Sequence, residues 1–145
     1  MIAYVDASVL LRVALAQPDA LPEWTQVERG VSSALVTVES LRTLDRLRLR
    51  AGLGDEEVAV RRAAIMSLVA SLELVDIDAA VLDRAAQPMP TRLGTLDAIH
   101  LATALLWKGA AGVAPVMATH DEELALGARA HGLAVVGIAG AGLAD

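Results

Sequence analysis

The chain begins with a short apolar run at residues 2–5, which is followed at once by a carboxylate, Asp6. A run that is apolar at consecutive positions is typical of a strand covered on both faces in a parallel sheet. A helical pattern follows at residues 9–15, with Ser8 as its predicted cap. In open α/β sheets ligands bind outside the carboxyl ends of the strands, so this junction predicts a functional position for Asp6.

Strand-like and helix-like segments alternate along the rest of the chain. Further strands are predicted at residues 33–36, 74–77, 116–119 and 133–136, and helices at residues 22–29, 37–51, 55–72, 78–86, 97–107 and 122–130. Thr37 is a plausible cap for the helix that carries Glu39 in its first turn. This alternation is typical of a parallel sheet with helices on both faces. We therefore expect a single α/β domain over residues 1–145.

Composition excludes several classes of protein. The 145 residues include no Cys, so neither a disulfide framework nor a thiolate metal site is available. A formal net charge of -6 and an aromatic content of 2% argue against nucleic-acid binding by bulk positive charge or by base stacking. Residues 1–5 carry no basic segment of a signal peptide, and no apolar stretch is long enough to span a bilayer. We expect a soluble, cytoplasmic protein.

Four acidic residues occupy equivalent places in this pattern. Asp6, Glu39 and Asp121 each follow closely on a predicted strand, and Asp97 opens a nearly apolar helix. If these ends point the same way, as right-handed crossovers favour, the four side chains meet in one acidic pocket. Such a cluster must hold protons or bind cations, and carboxylate oxygens are the ligands of Mg²⁺ or Mn²⁺. Because these ions can activate water and stabilise charge on a phosphodiester, the pocket predicts a metal-dependent phosphodiesterase site.

A simpler interpretation exists for each acid taken singly. An aspartate after a strand is more often a helix cap than a ligand. We keep the interpretation as cap or turn residue for three other aspartates: Asp19, Asp55 and Asp78. Asp97 does not fit it, because an isolated buried carboxylate would protonate unless it were paired, hydrogen-bonded or metal-bound. Ser8 and Thr119 are close enough in sequence to the acids to support them by hydrogen bonds.

Four motifs follow one another in the chain: YVDAS at residues 4–8, VE at residues 38–39, LDAIHLATA at residues 96–104 and THD at residues 119–121. In this order they resemble the PIN domain, and most closely the VapC-type ribonuclease toxins of type II toxin–antitoxin systems. The resemblance covers essentially the whole chain. It implies a three-layer α/β/α PIN-like fold with a central, mainly parallel sheet.

The resemblance also implies a function. It assigns Mg²⁺ or Mn²⁺ binding to Asp6, Glu39, Asp97 and Asp121, and it implies an endoribonuclease that cleaves structured RNA such as transfer or ribosomal RNA. It further implies a cognate antitoxin that blocks the site, and a homodimer. His100, one turn after Asp97, is expected to support or pack rather than to bind the metal. Glu123 stands where some members carry a further acid, and its part is left open.

An arginine stripe lies on the helix that carries Glu39; it consists of Arg42, Arg46 and Arg50. At 3.6 residues per turn these side chains point within about 60° of the direction of Glu39. We hypothesise that the stripe binds RNA phosphates and that Arg92, in the loop before the apolar helix, is a further phosphate contact. The alternative is a solvated helix face that Asp45 and other acids neutralise.

Other proteins that gather acids at strand ends fit less well. A receiver-like phosphoacceptor domain needs a second acid beside Asp6, where Ala7 stands, and a lysine after a late strand, whereas Lys108 ends a helix. A haloacid-dehalogenase-type phosphatase needs an aspartate at the position of Ser8. The serious alternative is a PIN-like module that has lost catalysis and serves as a binding or scaffold protein. Loss of cleavage in a folded Asp97→Asn variant would distinguish the enzyme from the scaffold.

Overall fold

The computed structural model describes residues 1–138; residues 139–145 of the expected domain lie outside the described residues. Five strands form one sheet: β1 (Ile2–Val5), β2 (Arg29–Ser33), β3 (Glu73–Val75), β4 (Val116–Ala118) and β5 (Val135–Val136). Their order is β3-β2-β1-β4-β5, and every ladder is parallel. The expected parallel sheet is confirmed.

The helices follow the strands in alternation: α1 (Ala7–Ala14), a 3-10 helix (Pro22–Gln26), α2 (Leu35–Ala51), α3 (Asp55–Ala70), α4 (Ala79–Ala85), α5 (Thr95–Ala111) and α6 (Glu122–Ala130). Helices α1, α2 and α3 pack with Ala3 and Val5 in one apolar cluster. Helices α5 and α6 pack with Tyr4 in a second cluster on the other face of β1. This separation confirms the three-layer α/β/α fold.

The sheet order reverses at β1. The chain passes from β1 through β2 to β3 on one side of the sheet, and then crosses to β4 and β5 on the other side. In open parallel sheets the crevice at such a reversal, outside the carboxyl ends of the strands, is where ligands bind. Asp6 directly follows β1 and Asp121 lies just beyond β4, so both residues stand at this crevice.

The second strand begins earlier than the sequence pattern suggests. It covers Arg29–Ser33 rather than residues 33–36, and α2 starts at Leu35 with Ala34 at its N-cap, so Thr37 is not the cap. Two serines belong to the strand because the Ser32 hydroxyl donates to the carbonyl oxygen of Val5 at 2.7 Å and the Ser33 amide donates to the Tyr4 hydroxyl at 3.1 Å. These are contacts between distant residues, which an apolar pattern does not reveal.

The helix predicted at residues 22–29 is also shorter in the structure. Only a 3-10 turn forms, because Arg29 and Gly30 pair with β1 opposite Ile2 and Ala3. A Cβ atom at Gly30 would meet a methyl group of Leu72, just after α3, so a larger residue at this strand position would require the Leu72 side chain to move.

Within residues 1–138, no helix combines the length and the apolar character needed to cross a bilayer.

Candidate active site

A cavity of about 480 Å³ lies at the carboxyl ends of β1 and β4. All four predicted acids line it: Asp6, Glu39, Asp97 and Asp121. Asp6 and Asp121 are the N-cap residues of α1 and α6, and Asp97 lies in the first turn of α5. Glu39 lies one turn inside α2, not in its first turn as expected. The helix dipoles at the three N-termini favour negative charge at this end of the sheet.

Asp6 is held by two hydroxyl groups. Its Oδ2 atom accepts from the Ser8 hydroxyl at 2.6 Å, from the Ser8 amide at 3.3 Å and from the Thr119 hydroxyl at 3.0 Å. The same hydroxyls accept from backbone amides after β4: Ser8 from His120 and Thr119 from Asp121, each at 3.0 Å. Two parallel relays thus tie the β1–α1 junction to the β4–α6 junction, and they fix Asp6 relative to Asp121.

The cap of α1 is Asp6, and the prediction of Ser8 as cap was wrong. Ser8 lies inside the helix, where its amide and its hydroxyl both donate to Oδ2 of Asp6. Asp121 likewise accepts from the Leu124 amide at 2.9 Å through Oδ1. Capping therefore occupies one oxygen of each aspartate.

Each carboxylate keeps an oxygen without a protein donor. Among residues 1–138, no hydrogen bond reaches Oδ1 of Asp6, Oδ2 of Asp121, Oε1 of Glu39 or either oxygen of Asp97. The pocket therefore offers carboxylate oxygens from four elements of the fold. These are the atoms that a cation would use.

Glu39 is bound to a buried histidine. His100 is fully buried, and its Nε2 atom lies 2.5 Å from Oε2 of Glu39. Its Nδ1 atom lies 3.0 Å from the hydroxyl of Tyr4, which is also fully buried. Burial raises the pKa of Tyr4 well above its usual range, so the phenol stays neutral. His100 thus contacts Tyr4 and Glu39, which is the placement that the predicted supporting role requires.

The charges of the four acids act on one another. The pKa of Asp97 is raised to about 6, first by partial burial and then by the nearby carboxylates of Asp121, Asp6 and Glu39, against the opposing effect of His100. Burial by itself lowers the pKa of His100, but the hydrogen bond to Glu39 and the charges of the acids outweigh burial, so its pKa is raised. Four carboxylates this close together repel one another, and a bound cation would relieve that repulsion.

The raised pKa of Asp97 predicts how stability depends on pH in EDTA. The folded state holds a proton on Asp97 between about pH 4 and pH 6, whereas the unfolded state releases it, so the stability of the metal-free protein falls as pH rises through this window. We expect Asp97→Asn to raise the melting temperature at pH 7 by only a few degrees, because water screens this half-exposed carboxylate. The increase should be smaller at pH 4, where the folded protein already holds a proton on Asp97. Thermal unfolding across pH measures the difference, and an Asp97→Asn protein with equal or lower stability at pH 7 would contradict it.

The donor set fits a hydrated Mg²⁺ or Mn²⁺ ion. Within residues 1–138, no three His, Asp or Glu side chains are arranged to hold one ion directly. A zinc site requires such convergence, with three or four protein ligands in a tetrahedron. Magnesium instead keeps several of its waters and binds through one or two carboxylates, and its preferred ligands are oxygens. Four carboxylates spread around a 480 Å³ cavity match that chemistry.

The arginine stripe runs from the acidic pocket into an adjoining groove. Arg42 and Arg46 line the pocket, and Arg46 and Arg50 line the groove between α1 and α2. Arg42 forms an exposed ion pair with Asp45 at 2.8 Å, as the alternative interpretation supposed. Exposed pairs of this kind contribute little free energy, so Arg42 can exchange Asp45 for a phosphate. The stripe thus remains a prediction, with the placement it requires.

Two other residues do not lie at the pocket. Arg92 and Glu123 are exposed and contribute nothing to its lining. The role of Glu123 therefore stays open, and Arg92 stays a predicted phosphate contact that lies outside the pocket.

The sequence does not indicate that Tyr4 is linked to the pocket through His100 and Glu39. In the sequence it reads as one more apolar position of β1. Its hydroxyl faces His100 only because α5 packs on that face of the sheet. The i, i+3 spacing of Asp97 and His100 was a visible signal for a supporting histidine, but nothing in the sequence identified the partner.

Comparison with known proteins gives consistent results. The PIN domain family model matches residues 3–130. The chain is 35% identical over 136 residues to Ribonuclease VapC46 of Mycobacterium tuberculosis, covering 92% of this chain and 95% of that protein. It is 36% identical over 140 residues to Ribonuclease VapC35 of Mycobacterium tuberculosis, with 92% and 94% covered.

A solved structure shares the fold. A chain in a toxin–antitoxin complex from Klebsiella pneumoniae superposes with a TM-score of 0.65 at 16% identity, over 92% of this chain and 95% of that chain. At this identity the likeness concerns the fold alone.

Proposed function

The chain belongs to the PIN-domain family, in its VapC-type group, and from that premise we propose that it is a Mg²⁺- or Mn²⁺-dependent endoribonuclease, the toxin of a type II toxin–antitoxin pair. The observation that carries the proposal is the pocket in which Asp6, Glu39 and Asp121 all raise the pKa of Asp97. The ribonuclease names of the two relatives support the reaction.

In the proposed reaction the four acids would hold the cation directly or through its waters, with Asp6 fixed by Ser8 and Thr119, and Glu39 fixed by His100. When bound, Mg²⁺ or Mn²⁺ supplies an activated water and positive charge beside the phosphodiester. Without a cation the pocket repels a phosphate. The oxygens that carry no protein hydrogen bond are therefore the atoms that turn an acidic pocket into an RNA site.

The substrate we propose is structured RNA, such as transfer or ribosomal RNA. A protein with a net charge of -6 must hold RNA locally rather than by its overall field. The arginine stripe beside the acidic pocket offers that local positive charge. With an aromatic content of 2%, the protein has few rings on which bases could stack, so shape and phosphate contacts dominate the proposed recognition.

The arginine stripe leads to a prediction about salt. Replacing Arg46 and Arg50 by Ala should weaken RNA binding and reduce the slope of log affinity against log salt by about 0.7 for each RNA phosphate that the protein no longer neutralises. The affinity for Mn²⁺ should not change. Filter binding of a transfer-RNA pool to an uncleaving Asp97→Asn protein at several salt concentrations measures the slope.

A double variant that removes the same charge elsewhere is the control. Arg48→Ala with Arg62→Ala also removes two exposed arginines, but neither residue lines the pocket or the groove. If both double variants reduce the slope equally, the effect belongs to net charge and the stripe has no special role.

The proposal includes two protein partners and a location. A cognate antitoxin, a partner supported by the complex from Klebsiella pneumoniae, would cover the acidic pocket and compete for the arginine stripe. A second copy of the chain would form a homodimer, for which the exposed leucines Leu82 and Leu126 offer apolar surface. The site of action would be the cytoplasm, where the RNA is.

The experiment that tests the reaction is cleavage of an end-labelled transfer-RNA pool by the purified protein, freed of any bound partner. Discrete fragments with Mn²⁺ or Mg²⁺, absent with EDTA, are expected. The alternative function, a PIN-like binding module without catalysis, predicts RNA or protein binding and no fragments at any metal concentration.

A further inference from the structure

His100 uses both ring nitrogens inside the protein. Nε2 lies 2.5 Å from Oε2 of Glu39, Nδ1 lies 3.0 Å from the Tyr4 hydroxyl, and the ring is fully buried. The next acid, Asp6, has its Oδ1 atom 3.8 Å from Nε2, beyond hydrogen-bond distance. With neither nitrogen free and no surface exposed, the imidazole can act on the pocket only through Glu39.

The direction of the hydrogen bonds follows from the Glu39 carboxylate, which can only accept, so Nε2 of His100 carries a proton. The Tyr4 hydroxyl accepts from the Ser33 amide at 3.1 Å. If His100 is neutral, the phenol gives its one proton to Nδ1, and Nε2 carries the ring proton. If His100 is charged, both nitrogens carry protons. In either charge state Nε2–H donates to Glu39, so the contact does not depend on the titration of the ring.

This contact joins two helical layers. Glu39 is on α2, which packs on one face of the sheet, whereas His100 is on α5, which packs with Tyr4 on the other face. The two residues are 61 positions apart in the chain. Glu39 has a long side chain with several rotatable bonds, and His100 is the only protein donor that reaches its carboxylate among residues 1–138.

We infer that His100, oriented by Tyr4, is a positioning residue that fixes the Glu39 carboxylate by its Oε2 atom and leaves Oε1 for the divalent cation. The inference rests on the proposed function, since it concerns the same acidic pocket. A ligand that is oriented by a hydrogen bond from outside the metal's own ligand set binds more tightly than a free one, typically by a factor of about 10 to 100.

Two amide substitutions separate the two contacts of the ring. The amide nitrogen of Gln can take the place of Nε2, and the amide group of Asn can take the place of Nδ1. His100→Gln therefore keeps a donor to Glu39 and loses Tyr4, whereas His100→Asn keeps a partner for Tyr4 and loses Glu39. Both variants replace a buried ring by a smaller amide, so a merely structural role predicts similar effects of the two.

The test is titration calorimetry with Mn²⁺ on the whole protein, with melting temperatures measured in EDTA. We expect His100→Asn to weaken Mn²⁺ binding at least about tenfold and His100→Gln to weaken it by no more than about threefold. Cleavage of RNA should fall in kcat rather than in KM, because the ring does not reach the pocket. Tyr4→Phe, which removes the hydroxyl alone, should give an intermediate Mn²⁺ affinity.

Equal Mn²⁺ affinities of the Asn and Gln variants would overturn the inference and leave the proposed function standing. If either variant does not fold, Tyr4→Phe decides, because an unchanged Mn²⁺ affinity in that protein would also overturn the inference. A wild-type protein that binds no Mn²⁺ would instead overturn the proposed function, and the inference with it.

Discussion

Asp6→Asn should reduce RNA cleavage by about a thousandfold or more while the protein remains folded. The amide oxygen of Asn can still cap α1 and accept from Ser8 and Thr119. The amide NH₂ then replaces Oδ1, the oxygen without a protein donor, so a cation meets a donor instead of a negative oxygen. Initial rates on a transfer-RNA pool with Mn²⁺, together with melting temperatures in EDTA, measure both effects.

Asp78→Asn is the matched control. Asp78 follows a strand, caps α4 and accepts from the Val81 amide at 3.0 Å, which is the local role of Asp6 without the pocket. The control should cleave RNA within about twofold of the wild-type rate, because it removes one charge from a surface away from the site. If Asp6→Asn retained a tenth or more of the activity, Asp6 would have no essential part in the chemistry.

Leu101→Ala should destabilise the fold by about 2 to 5 kcal/mol. Leu101 is fully buried on α5 in the cluster of Tyr4 and Leu124. One of its methyl carbons lies 3.3 Å from where a Cβ atom at Gly127 would be, so α6 approaches closely at this point and cannot easily move inward. Because single domains are stable by only about 5 to 15 kcal/mol, this cost is a large part of the total. Urea denaturation in EDTA measures it.

Leu106→Ala, on the same helix, is the control for Leu101→Ala. Leu106 is 36% exposed, so its loss should cost less than about 1.5 kcal/mol. The folded fraction of Leu101→Ala should bind Mn²⁺ normally. A cost similar to that of Leu106→Ala would mean that the α5–α6 contact is loose.

The acids could be predicted from the sequence because each has a local signature. Asp6 and Asp121 follow apolar runs, and Asp97 opens a helix that has no other charge near its start. The two interpretations of Asp6, cap or cation ligand, turn out not to exclude each other. One oxygen accepts from the helix amide, and the second oxygen remains for a ligand.

The features that could not be predicted depend on contacts between distant parts of the chain. The start of β2 is set by the hydrogen bonds of Ser32 and Ser33 to β1, so an apolar pattern placed that strand too late. The link from Tyr4 through His100 to Glu39 exists only because helices from the two layers meet beyond the carboxyl ends of the strands. Spacing within one helix carries no information on such a contact.

The most direct test of the acidic pocket as a metal centre is titration calorimetry with Mn²⁺ on the wild-type protein and on Asp97→Asn, with Asp78→Asn as control. We predict binding by the wild-type and control proteins, and a loss of affinity of at least about a hundredfold, close to 3 kcal/mol, in Asp97→Asn. No heat of binding to the wild-type protein, or equal affinity in Asp97→Asn, would contradict the account of this pocket as a cation site.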